Sequence, residues 1–90
     1  MAKASVDPAE LRRFAQGLIQ FNNDLQGLMS GLNARMRSLE TTWRDQEQKK
    51  FAETFDQAAQ SLGRFMEASN EHAKVLMKKA QYIEQYLNQR

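Results

Sequence analysis

From Leu11 onward the chain sets apolar side chains at Leu11, Phe14, Leu18, Phe21, Leu25, Leu28 and Leu32, in steps of three, four, three, four, three and four. That alternation holds one face of an α-helix toward a neighbour, whereas a strand would repeat every second residue. After one extra step of four, a stutter that relaxes the supercoil, the seam continues through Met36, Leu39 and Trp43. A second seam of the same kind starts at Phe51 and runs through Phe55, Ala58, Leu62, Phe65, Ser69, His72 or Ala73, Leu76, Ala80, Ile83 and Leu87. Two long helices are therefore predicted, and the fold class is all-α.

The signals that start helices agree with the seams. Asp7 is a natural N-cap, Pro8 occupies the first helical position where its missing N–H costs nothing, and Glu10 stands where a capping box wants its acid. Asp45 with Gln48 repeats the box at the second helix. The spacing predicts one domain over 1–90, with a helix over about 8–41, a turn over about 42–45 and a helix over about 46–88. So short a turn forces an antiparallel hairpin. Folded about Trp43, the hairpin should set Leu39 beside Glu47, Leu32 beside Phe55, Leu25 beside Leu62, Leu18 beside Ser69 and Leu11 beside Leu76. Residues from about Lys79 to Arg90 would then overhang as a tail.

A two-helix strip is a thin core, because domains of this size rarely gain more than about 3–5 kcal/mol from one. Apolar residues are also left beside the seams: Ala15, Ile19, Met29 and Met36 on the first helix, and Ala59, Met66, Ala73, Val75, Met77, Tyr82 and Tyr86 on the second. Such a widened apolar face suits a bundle, so two hairpins are expected to pair into a four-helix bundle. Gly17, Gly27 and Gly31 lie inside the first helix, where each costs about 1 kcal/mol relative to alanine. Close approach of another helix and loose local packing are both open as reasons.

Several function classes drop out. The chain has no cysteine and one histidine, so no metal set assembles within it and no cofactor is expected. His72 reads as a core or partly exposed histidine before it reads as a ligand or an acid-sensitive switch. The carboxylate pairs Glu67 with Glu71 and Glu53 with Asp56 fall on outer faces, and no nucleophile, base and oxyanion donor come together; an enzyme is not expected. The net charge is +2, but residues 1–45 carry six Lys/Arg against five Asp/Glu and residues 46–90 seven against six, so no basic face marks a nucleic-acid binder. No apolar run is long enough for a transmembrane segment. The N-terminus lacks the apolar region of a signal peptide, so export would take a leaderless route.

The lone tryptophan carries the remaining signal. Trp43-Arg44-Asp45 sits in the turn, with the aromatic Phe51 eight residues after Trp43. A chain of about a hundred residues with two long helices, no signal peptide and a central Trp in the turn resembles the WXG100 (ESAT-6-like) family over nearly its whole length. The resemblance implies a helical hairpin pairing as a homodimer or with a paralogous hairpin. It also implies a protein-protein interaction role as a substrate or component of a type VII-like secretion system, with a secretion ATPase or client protein as further partner. Its turn motif points to Trp43, Arg44 and Asp45 as recognition elements, and its C-terminal signal to the region of Tyr82, Glu84 and Tyr86. The hairpin and dimer core would be Leu11, Phe14, Leu18, Phe21, Leu25, Leu28, Leu32, Phe51, Phe55, Leu62, Phe65 and Leu76.

Departures from the pattern are visible. Asp45 stands where the family has glycine, and an Asp tolerates the left-handed region and caps well. The family's Tyr-x-x-x-Asp/Glu signal is unmatched, because Tyr86 lies four after Tyr82 and Arg90 four after Tyr86. The pI near 9.2 also differs from the acidic members expected. A cytoplasmic adaptor or chaperone therefore stands beside secretion as a reading, with a basic nucleic-acid-associated protein behind both. Trp43 itself has two readings: a staple closing the core over Leu39 and Phe51, or a recognition patch for a partner.

Overall fold

Asp7 and Pro8 begin the first helix in the computed structural model, which describes residues 6–89. The Asp7 side chain accepts from the Ala9 backbone N–H at 2.9 Å, and α1 runs Pro8–Leu39. Asp45 begins α2 (Gln46–Asn88) by accepting from the Gln48 N–H at 3.1 Å. The two helices lie antiparallel in a rod of 68 × 23 × 15 Å, and α2 at about 1.5 Å per residue accounts for its length. Among the described residues there is no strand.

Three details differ from the expectation. First, α1 ends at Leu39, two residues before the expected end, because the Thr41, Thr42 and Trp43 N–H groups turn back to Ser38 and Leu39 carbonyls at 3.3, 3.1 and 2.8 Å. Second, only half of the Asp45 capping box forms. The Gln48 side chain donates across the turn to the Glu40 carboxylate at 3.0 Å, and Gln48 is buried there. Third, the register is set about one turn further along. Asn22, not Leu18, faces Ser69, donating to Ser69 Oγ at 2.7 Å and to Asn70 Oδ1 at 2.9 Å. At the open end Arg12 reaches Glu84, and Ala80 is fully buried. The expected tail from Lys79 is thus packed against α1 at least as far as Glu84.

The seam inside the hairpin is narrow and small. Ala15, Asn22 and Met36 are its buried residues on α1, with half-buried Met29 completing a repeat of seven. On α2 the corresponding repeat is Ala52, Ala59, Met66, Ala73 and Ala80. Alanines at these positions let the helix axes approach closely, and no large side chain is wholly buried among the described residues. Asn22 is 3% exposed, and its Oδ1 is the one buried side-chain acceptor without a partner among the described residues. Unpaired buried acceptors cost about 1–3 kcal/mol, a cost offset here by the donor bonds that fix the register.

Candidate functional site

Most of the large apolar side chains that the small seam leaves out gather on one side, with Ile19, Val75 and Tyr82 outside it. Phe14, Phe21 and Leu28 each precede a member of the buried repeat of α1 by one residue; Phe51, Ala58, Phe65 and His72 do the same on α2. In an antiparallel pair, equivalent offsets on the two helices point to the same side of the rod. Leu18, Leu25, Leu32, Phe55 and Leu62 fill the groove between these two rows, and all of them but the exposed Leu32 are half-buried. The result is an apolar face that ends toward Arg35 and Lys79, which precede Met36 and Ala80 by one residue. Phe14 is 60% exposed, Phe21 53%, Leu28 72% and Phe65 47%.

The opposite face has a different composition. Residues that follow the buried repeat by one are Gln16, Asn23, Ser30 and Arg37 on α1 and Glu53, Gln60, Glu67, Lys74 and Gln81 on α2, all exposed. The hairpin is amphipathic across its thickness, polar on one side and apolar on the other. Contiguous apolar patches on this scale mark interaction sites. Among the residues expected in the hairpin and dimer core, Leu11, Leu18, Leu25, Phe55, Leu62 and Leu76 are half-buried within the hairpin. Phe14, Phe21, Leu28, Leu32, Phe51 and Phe65 are exposed in it. Gly17, Gly27 and Gly31 have nothing within 4 Å of where a Cβ would stand, so within one hairpin no helix makes use of their smallness.

The turn is held by its own side chains. Arg44 Nε donates to the Glu40 carbonyl at 3.0 Å, satisfying the end of α1. Trp43 is half-buried. Asp45 has φ −93° and ψ −171°, an extended conformation open to any residue, and no described residue has a positive φ. The left-handed tolerance of aspartate is therefore not what lets it replace glycine; its capping bond to Gln48 is the relevant chemistry.

At the open end the C-terminal elements separate. Glu84 is held by Arg12 through two bonds, Nη2 to Oε1 at 2.7 Å and Nε to Oε2 at 3.1 Å. The guanidinium's hydrogen bonds and charge hold the Glu84 carboxyl below its usual range, and the carboxylate raises Arg12 in turn. Tyr82 and Tyr86 remain exposed. Sequence reasoning placed Glu84 with the tyrosines because it counted spacing along one helix; the cation that takes it lies 72 residues away. Among the described residues no three metal-ligating side chains cluster, and no helix is long and apolar enough to cross a membrane. His72 is exposed on the apolar side.

Comparison with known proteins agrees with this geometry. The sequence model of the WXG100 family, "Proteins of 100 residues with WXG", matches residues 3–86. Among solved structures, the wild-type secreted protein EsxB from Bacillus anthracis str. Sterne superposes with a TM-score of 0.81 at 25% identity, covering 94% of this chain and 99% of that one. A point variant of EsxB from the same organism gives 0.79 at 25% identity, covering 93% and 97%. No curated protein sequence matches the chain.

Proposed function

The chain belongs to the WXG100 family, and on that premise we propose that it is a non-enzymatic interaction protein that pairs through its apolar face into a four-helix bundle and is exported by a type VII-like system. The observation that carries the proposal is the one-sided face of Phe14, Phe21, Leu28, Phe51 and Phe65, which a lone hairpin leaves in water. Burying a side chain of this kind contributes about 1.5–3 kcal/mol, so closing two such faces together adds burial that the narrow seam lacks. The partner is a second copy or a paralogous hairpin. The glycines Gly27 and Gly31 flank Leu28 on this side and would admit the partner helix closely.

Trp43 serves in this reading as a partly covered ring that steadies the turn and presents an edge to a partner, with Arg44 and Asp45 fixing the backbone around it. Sedimentation at micromolar concentration tests the pairing, and a stable, fully helical monomer would sink it. Comparing culture supernatant with lysate, with and without the secretion ATPase, tests export. One observation favours the cytoplasmic adaptor as second reading: the only acid near the C-terminal tyrosines, Glu84, is engaged by Arg12. Protein retained in the lysate whatever the ATPase would decide for the adaptor.

A further inference from the structure

The turn end of the rod carries a hollow of about 470 Å³ lined by Arg37, Glu40, Thr41, Arg44, Gln48 and Lys49. Among the described residues, no carboxylate lies in ion-pair range of Arg37, Arg44 or Lys49. The one acid in the lining, Glu40, is already bonded by the Gln48 amide at 3.0 Å. Arg44 is oriented by its Nε bond to the Glu40 carbonyl, which leaves its two terminal nitrogens for another acceptor. Lys49 sits close to the start of α2, where the helix dipole disfavours a cation.

The hollow also lies on the polar side. Arg37 follows buried Met36 by one residue, on the face opposite Phe14, Phe21 and Leu28. It therefore stays open when the apolar face is covered. The hollow is shallow and open to solvent, with more room than a single small ion needs.

We propose that this hollow docks an acidic peptide segment, carrying at least two carboxylates, from a further protein that binds the hairpin pair at its turn. The inference rests on the pairing reading above, since it takes the apolar face as occupied and assigns the third partner to the polar one. Guanidinium forks at Arg37 and Arg44 take carboxylates, and Lys49 adds a point charge.

The test uses the full-length protein and a fluorescein-labelled peptide of about eight residues alternating Glu and Gly, with a Gln-for-Glu counterpart, read by anisotropy at about 20 mM and about 150 mM salt. Saturable binding of the acidic peptide is expected, weaker at the higher salt. The triple variant Arg37→Gln, Arg44→Gln, Lys49→Gln should lose about tenfold or more in affinity, about 1.4 kcal/mol. A control with the same charge change, Arg64→Gln, Lys78→Gln, Lys79→Gln, should bind within about twofold of the parent, well under 1.4 kcal/mol. Equal loss in both triples would reduce the effect to net charge and overturn the proposal. So would equal binding of the neutral peptide, or displacement by millimolar inorganic phosphate, which would mark a small-oxyanion site. Sedimentation of each variant in the same buffers separates the two readings: a monomeric parent that still binds peptide fails the pairing alone, and a dimeric parent that does not bind fails this inference alone.

Discussion

The seam inside the hairpin and the face outside it contrast in every physical respect. With Met36 buried among them, the seam is built mainly from Ala15, Ala73, Ala80, Asn22 and Ser69, small or polar residues that are nearly all out of water. The face is built from phenylalanines and leucines that are mostly in it. A chain selected to be stable as a lone hairpin would place its large side chains the other way round. The seam supplies a fixed register through the Asn22 bonds to Ser69 and Asn70, while the face's apolar area would be removed from water only by a second body.

The comparison breaks most visibly at the face. Phe21→Asp combined with Leu28→Asp should abolish pairing and much of the helicity at micromolar concentration, because each buried charge adds a desolvation cost to the lost burial of about 1.5–3 kcal/mol. Sedimentation velocity and far-UV circular dichroism check this; a folded dimer in both would place the pairing surface elsewhere. The seam should respond in the opposite sense to size. Ala73→Leu adds a side chain where the helices touch and should destabilise by about 1–3 kcal/mol, or roughly 4–8 °C in Tm per kcal/mol for a domain of this length. The same change at exposed Ala58 on the apolar side should be tolerated or favourable, so the pair of melts reads the contrast directly.

How much of this was legible in the sequence follows from what hydropathy weighs. The helices, their caps at Asp7 and Asp45 and the antiparallel hairpin were readable, because periodicity and capping are local. The apolar repeat through Phe14, Phe21 and Leu28 was also plain, but it marks the outer face rather than the hairpin's own centre. The true centre runs one residue later through Ala15 and Asn22, where small and polar side chains carry little hydropathy signal. The register, a turn further along than the apolar seams implied, brings Arg12 to Glu84. At the turn, aspartate in place of glycine was legible as a cap and misleading as a left-handed residue. Asp45→Ala should therefore cost about 1 kcal/mol through the lost bond to Gln48, whereas Asp45→Gly should cost only a few tenths. Equal losses in thermal melts of the two variants would show that the turn, not the cap, governs this position.

The smallest effect belongs to the open end, where seam and face both run out. Arg12 and Glu84 are each a little over a third exposed, so solvent screens the pair and its contribution should fall below that of the Asp45 cap. Its sign with pH is nevertheless fixed. Because the folded state holds the Glu84 carboxyl below its usual range, the unfolded chain binds the proton first as pH falls. The stabilisation is complete above the ordinary glutamate range and is lost as pH drops through the depressed folded value. Arg12, raised by the same bonds, keeps its charge throughout that window. Melts of the parent and of Glu84→Gln should differ at neutral pH and converge in acid, more so at low salt. A difference that persists to the acid limit would mean that Glu84 contributes by packing its stem against α1, and the end of the hairpin would then be an extension of the seam instead of a separate electrostatic clasp.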